Sequence, residues 1–245
     1  MLVRGRSAPL INPSVEARRA KGGRFDGRSG RRWIRAAIAI VFCTGCASGP
    51  PAPVDIGAAR HLAPGTAATV EGFVTVPPGL FASFTGDQGF AIEDETAGIY
   101  VALSGSVSAP FGQGVRVMGR TSEIGKLVTL STQPDLVAPM LRQRAVEPAA
   151  VHTGAIGPAT EGRLVKIRGA ITRPIGDDRP YGYKIAVDDG SGVTQVFVPV
   201  STGIDPLADP TLRAGQRVTV VGLSGRYEET YEVIPRFPRD LAVDP

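Results

Sequence analysis

From about residue 65 onward, apolar and polar side chains alternate with a period of two, in short runs broken by Gly, Pro, Asp and Ser. A period of two puts successive side chains on opposite faces of an extended chain, which is the signature of half-buried strands. The first such run is Val70-Glu-Gly72-Phe-Val74-Thr75, and Ala91-Ile92-Glu93-Asp94 and Gly98–Leu103 follow it. The apolar phase predicts that Val70, Val74, Phe90, Ile92, Ile99, Val101, Val115 and Val117 point into a core.

The pattern then repeats. Val70–Thr75 matches Ile167-Arg-Gly169-Ala-Ile171-Thr172, and Ala91–Asp94 matches Ala186-Val187-Asp188-Asp189. A Gly-containing turn and another strand, Gly98–Leu103 or Val193–Val198, come next in each copy. Gly112-Gln-Gly-Val115-Arg-Val117-Met-Gly119 matches Gly215-Gln-Arg-Val218-Thr-Val220-Val-Gly222, and a hairpin strand closes each copy at Lys126–Thr132 and Thr230–Ile234. The second copy offers Ile167, Ile171, Ile185, Val187, Val196, Val198, Val218 and Val220 as its core positions.

Two modules follow, one at 65–141 and one at 161–245, with a linker at 142–160. Each has five strands and a longer connection between the third and fourth, the recipe of a small Greek-key barrel of the OB type. The predicted fold class is therefore all-β, two tandem five-stranded OB-fold-like barrels. Gly119 and Gly222 are expected to end the fourth strands, where such a barrel bends.

Composition agrees: 31 Gly and 21 Pro with 6% aromatic residues suit short strands joined by turns. The net charge of +4 needs dividing before it means anything. Residues 1–46 hold ten basic and two acidic side chains, leaving 17 basic and 21 acidic groups in the body, a net of −4. No broad electrostatic pull toward nucleic acid or anionic lipid follows. Both cysteines, Cys43 and Cys46, precede the body, which excludes a disulfide framework, a zinc cluster and a thiol nucleophile from it.

The leader reads Arg31-Arg-Trp-Ile-Arg35, then Ala36–Phe42, then Cys43-Thr44-Gly45-Cys46. A basic stretch, a short apolar stretch and small residues before a break make an export signal. The apolar run falls well short of the roughly 20 residues that cross a bilayer as a helix. Cys43–Cys46 resembles the lipobox of bacterial lipoproteins, although Cys43 stands where that family usually has an aliphatic residue. The resemblance implies acylation of Cys46, a membrane anchor, and an outer-membrane site facing periplasm or exterior, since Ala47 is not a retention residue. The alternatives are an ordinary secretory signal cut near Ala47, a buried apolar segment, or a twin-arginine signal around Arg31-Arg32, whose flanks fit poorly. Residues 47–64 are rich in Pro, Ala and Gly and read as a tether.

The run Val74–Phe81, Gln88–Asp94 and Gly98–Val101, together with Glu161–Val165, resembles the OB-type modules of secreted bacterial nucleic-acid-binding proteins and of those accompanying extracellular nucleases. The likeness covers roughly 65–243 and implies DNA or RNA binding. It departs at Glu93, where relatives commonly carry Gln, and no nuclease domain accompanies the modules.

OB barrels bind on the outer face of strands two and three, between the first and last loops. If Ile99 and Val101 face in, Tyr100 faces out, and the same reasoning turns Phe197 out, which puts an aromatic ring at the same outward position of both modules. Exposed rings there suit base stacking; the alternative is that the first loops or the other module cover them. Phe81 and Phe84 in one first loop, Tyr181 and Lys184 in the other, and Arg226 and Tyr227 in the last loop complete the candidate ligand-binding set. Glu93, Asp188, Asp177-Asp178 and Glu228-Glu229 oppose phosphate binding. His61 and His152 lack the partners of a triad or metal site, and no phosphate loop, nucleophile elbow or zinc-helix motif occurs. No catalysis, cofactor or metal is expected. The expected function is nucleic-acid binding, single-stranded DNA or RNA first, and the rival is an envelope scaffold lipoprotein contacting proteins or glycans. A positive stripe across Tyr181, Lys184 and Arg226 favours the first reading, and a face buried against the other module favours the second.

Overall fold

In the computed structural model, which describes residues 52–245, each half of the body closes into a five-stranded barrel. The first has β1 (Ala67–Val76), β2 (Phe90–Glu93), β3 (Gly98–Leu103), β4 (Gln113–Ile124) and β5 (Leu127–Thr132) in the order β1-β2-β3-β5-β4, with β4 pairing back onto β1. The second has β6 (Leu164–Ile171), β7 (Gly182–Asp188), β8 (Thr194–Pro199), β9 (Arg217–Tyr227) and β10 (Thr230–Ile234) in the same order, with β9 closing onto β6. In each barrel the third and fifth strands run parallel and the other contacts are antiparallel. This is the OB topology, all-β as the alternation predicts. The signal and lipidation readings around Cys46 lie outside the described residues.

Every core position read from the alternation is buried in its own barrel. Burying a Val or Ile side chain contributes about 1.5–3 kcal/mol, so these two clusters dominate the stability of each half. The long connection between third and fourth strands supplies a plug: Val107 and Ala109 in the first barrel, Ile204 and Leu212 in the second.

Three boundary expectations change. Residues 53–64 belong to the first barrel: Pro53–Val54 pairs with Thr69 and Val70, and Ile56 and Ala59 enter the core. Residues 149–155 do the same in the second, where Ala149–Ala150 pairs with Val165 and Lys166. The true repeat therefore begins earlier, with Val54-Asp-Ile-Gly-Ala58 answering Val151-His-Thr-Gly-Ala155. In each copy an Asp of the hairpin between second and third strands fastens this entry. Asp94 accepts from the Ile56 amide at 2.8 Å, and Asp189 accepts from the Thr153 hydroxyl at 2.8 Å. Gly119 and Gly222 lie within β4 and β9 rather than ending them. A Cβ there would meet the Ser131 or Ile234 carbonyl oxygen at 2.5 Å, so glycine lets the fifth strand approach.

The barrels pack directly on one another. The outer face of β2, β3 and β5, carrying Ala91, Tyr100 and Leu127, joins Val76 and Phe81 in an apolar seam against Leu223 and Ile234 of the second barrel. Backbones meet there: a Cβ on Gly98 would lie 1.9 Å from the Gly162 carbonyl oxygen. Around the seam, Arg60 bonds Glu161 at 2.8 Å and the Gly98 carbonyl at 3.0 Å, and Arg163 bonds Glu93 at 2.9 Å. Arg236, paired with Asp240 at 2.8 Å, donates to the Thr75 carbonyl at 2.8 Å. Burial raises the Glu93 carboxyl above its ordinary range, against the opposing pull of the Leu164 amide and Arg163. Glu93 is thus a seam residue and not a surface acid facing a ligand.

Candidate functional site

The strand pairings fix which residues of the two barrels correspond. Tyr100 lies beside Ala91 and Thr129, and Gln195 lies beside Ala186 and Glu232. Tyr100 therefore corresponds to Gln195, and Phe197 to Ala102. The two rings do not share one position, as the alternation suggested; they sit two residues apart along the third strand.

Their surroundings differ more. Tyr100 points out of its barrel, as expected, but it is fully buried in the seam. Its hydroxyl donates to Asp87 at 2.7 Å, and burial, then the Asp87 charge, push the phenol well above its ordinary pKa. Phe81 is 1% exposed in the same seam. Neither ring is open to a ligand: the first barrel's own first loop, through Thr85 and Asp87, and Leu223 and Ile234 of the second barrel enclose them.

The corresponding face of the second barrel is open. It forms a groove of about 440 Å³ lined by Phe84, Tyr181, Phe197 and Tyr227 together with Asp178, Lys184, Gln195, Thr230 and Glu232. Phe197 and Gln195 rise from β8, Lys184 from β7, and Thr230 and Glu232 from β10. Phe84 comes from the first barrel, on the short helix Ala82–Thr85. That helix is clamped across the seam: the Ser83 hydroxyl donates to the Tyr181 carbonyl at 2.8 Å, and the Ser201 hydroxyl to the Leu80 carbonyl at 2.7 Å. The Phe84 ring lies 5.3 Å from Phe197 and 6.1 Å from Tyr227, centre to centre, in tilted and edge contacts. Such spacings hold aromatic rings in fixed mutual orientation. Tyr181 and Tyr227 remain more than half exposed at the rim.

The two basic residues expected here, Lys184 and Arg226, are present, and each has an acidic partner, as does the neighbouring Arg179. Lys184 pairs with Asp178 at 2.9 Å, Arg179 with Asp177 at 2.6 Å, and Arg226 with Glu229 at 3.3 Å. Arg226 also covers the Tyr231 ring at 5.1 Å. No continuous positive stripe crosses Tyr181, Lys184 and Arg226. The groove is aromatic and polar, with charges of both signs.

Sequence reasoning passed over Gln195, Thr230 and Glu232. Glu232 is 1% exposed; its Oε2 accepts from Gln195 Nε2 at 2.7 Å, while its Oε1 has no hydrogen-bond partner. Burial raises its carboxyl to about 7, with Lys184 pulling it down and Asp178 pushing it up. The available signal was the alternation Thr230-Tyr-Glu232, which turns Glu232 to the same outer face as Gln195 and Phe197.

No family model matches the chain, and no curated protein matches it. Among solved structures it is similar to a murine DNA-binding protein bound with double-stranded DNA, at 11% identity and a TM-score of 0.38, over 68% of this chain and 90% of that one. It is similar to the HINb domain of p204 at 13% identity and a TM-score of 0.33, over 74% and 95%. A replication protein A heterotrimer bound to single-stranded DNA matches at 8% identity and a TM-score of 0.28, over 79% and 69%.

Proposed function

We propose that the chain is a non-enzymatic binding protein whose second barrel takes single-stranded nucleic acid, DNA or RNA, in the open groove. The observation that carries this reading is the asymmetry of the two OB faces. One is sealed by a seam, and the other is left open with four aromatic side chains around it. Every base has a π-face, so rings at such spacing suit single strands, and each stacked base contributes about 1–3 kcal/mol. Phosphate contacts play a smaller part, because the rim cations are already paired with carboxylates.

A titration of the full chain with fluorescently labelled 12-mer oligo-dT, followed by anisotropy at low salt, tests this. Saturable binding that Tyr181→Ala and Tyr227→Ala each weaken about tenfold is expected from the loss of one stacking platform. Tyr100→Phe, whose ring lies in the seam, leaves the affinity unchanged. Absence of binding at low salt, where charge attraction is least screened, overturns the reading.

The proposal includes membrane attachment through acylated Cys46, supported by the basic and apolar stretches before Thr44-Gly45-Cys46, and hence a place at the outer membrane. Metabolic incorporation of an alkyne fatty acid, abolished by Cys46→Ala and kept in Cys43→Ala, is the expected result.

One observation favours a second reading, an envelope module binding glycans. The groove floor offers Asp178, Gln195, Thr230 and Glu232 beside aromatic rings, and no unpaired cation. OB faces also take oligosaccharides. Saturable binding of neutral glycan oligomers in place of oligonucleotides would decide for it.

A further inference from the structure

We propose that Glu232 sets the base preference of the groove, selecting guanine through its N1 imino and C2 amino hydrogens while the aromatic rings stack the base. The inference rests on the single-strand reading above and adds a specificity to it.

The starting point is an unexplained carboxylate. Glu232 lies on β10 in the floor of the groove, 1% exposed, with Oε1 lacking any partner. Leaving a buried polar atom unpaired is unfavourable, and most such atoms in folded proteins find a partner. The fold does not demand an acid there, because the corresponding residue of the first barrel is Thr129, in the sealed seam-side face. The neighbour that holds Glu232 in place has also changed, from Tyr100 to Gln195. Gln195 Nε2 fixes Oε2 at 2.7 Å and leaves Oε1 as the atom without a task. Both substitutions occur in the barrel whose face is open.

The chemistry of the missing partner follows from the atom. A carboxylate oxygen accepts hydrogen bonds and repels lone pairs. Thymine and uracil flank their single imino N–H with two carbonyl oxygens. Adenine and cytosine each place a ring-nitrogen lone pair directly beside the amino group. Guanine alone presents two adjacent donors, the N1 imino and the C2 amino group, on one edge. Of the bases, only guanine, stacked against the half-exposed Tyr227 ring, therefore offers Glu232 two adjacent donors with no lone pair between them on that edge. The Lys184–Asp178 pair beside the carboxylate is about 40% exposed on both sides, so its parting as a base enters costs little. The raised carboxyl pKa agrees with this arrangement: burial holds the acid ready to release its proton near neutral pH when a pair of donors arrives.

The test is an anisotropy titration of the full chain at pH 8 with labelled 12-mers of dT alone, alternating dT/dG, dT/dI and dT/dC. Hypoxanthine in dI keeps N1–H and lacks the C2 amino group. The wild-type chain is expected to bind dT/dG about tenfold more tightly than oligo-dT, within the range found for a two-bond base contact, with dT/dI between them. Glu232→Gln replaces one acceptor by a donor, so the ratio of oligo-dT to dT/dG dissociation constants falls to near one, whatever happens to overall affinity. Thermal melts confirm that the variant is folded. Wild-type preference for dT/dC, equal binding of all four strands, or a ratio unchanged in Glu232→Gln overturns the assignment while the single-strand reading stands. Failure of the wild-type chain to bind any strand removes both.

Discussion

Replacing Glu232 by Gln should make the protein more stable, and by an amount that depends on pH. Burial holds the folded carboxyl at about 7, against an ordinary value of 4.5. An acid whose folded pKa is raised favours the neutral form on folding, so it costs nothing while both states are protonated. The cost grows as pH rises from about 4.5, where the unfolded chain ionises, and levels off above about 7, where the folded carboxyl ionises too. At about 1.4 kcal/mol per pH unit, the gap amounts to roughly 3 kcal/mol at pH 8 and about 1 kcal/mol at pH 5. Gln is isosteric, carries no charge, and keeps an oxygen that can accept from Gln195 Nε2. The gain from the substitution should follow the same curve. Urea unfolding of wild type and Glu232→Gln at the two pH values, followed by circular dichroism, measures it. Comparing the variant with wild type at each pH cancels the other carboxylates, which titrate alike in both. A stability difference that is the same at pH 5 and pH 8, or a loss of stability at pH 8, would refute the assignment of Glu232 as a buried, under-bonded acid. A gain at pH 8 with lost base preference would place this residue among those that serve a ligand at the expense of the fold.

Three other perturbations probe the seam and the groove. Gly98→Ala sets a methyl group against the Gly162 carbonyl oxygen at 1.9 Å, so it should part the barrels and expose a new proteolytic site, whereas Gly157→Ala, with nothing within 4 Å, should leave digestion unchanged. Glu161→Ala strands Arg60 and the Val128 amide in the seam, and a loss of about 3–5 kcal/mol by urea unfolding is expected from breaking a buried pair. Oligonucleotide affinity should depend only weakly on salt, with a log–log slope of about −1, because each rim cation already has a carboxylate and few counterions are released; a slope steeper than about −4 would mean that phosphate contacts dominate.

The barrels were legible in the sequence because alternation is a local property that the closed sheet simply reads out. Val70, Ile92, Val101, Ile167, Val187 and Val198 alternate with polar neighbours and sit in the cores the period assigns them. The entry segments were not legible. The segments 53–58 and 149–155 pair through two residues each and are fastened by Asp94 and Asp189 from far along the chain, so a Pro- and Ala-rich composition masked them. The site was legible in part. Alternation shows that Tyr100 points out of its barrel, but what covers an outward ring is a tertiary fact. Only the packing shows that Leu223 and Ile234 cover Tyr100, that Phe84 from the first barrel covers Phe197, and that Tyr181 and Tyr227 are the rings left open. The acid partners of Lys184, Arg179 and Arg226 are close in sequence or across a hairpin, yet their side-chain geometry decides whether they neutralise the cation.

The divergence of the two copies also accounts for which surface of each barrel enters the seam. A contact between the OB face of one module and the fourth–fifth strand surface of the next is head-to-tail, and such contacts continue indefinitely when every module carries both surfaces. Here each module keeps one. The second barrel presents Leu223 and Ile234 to the seam; at the corresponding pair the first barrel carries Arg120 and Ser131, which cannot bury an apolar face. The first barrel presents Ala91, Tyr100 and Leu127; the second replaces Tyr100 by Gln195 and Leu127 by Thr230, and adds Glu232 where the first has Thr129. The substitutions that leave the open face unfit for another barrel are the ones that line the groove. Restoring the apolar set in the second barrel, with Gln195→Tyr, Thr230→Leu and Glu232→Thr together, would not by itself make a filament. The matching surface on the first barrel would still carry Arg120. Only when Arg120→Leu and Ser131→Ile are added should sedimentation show concentration-dependent growth beyond the size of the wild-type protein.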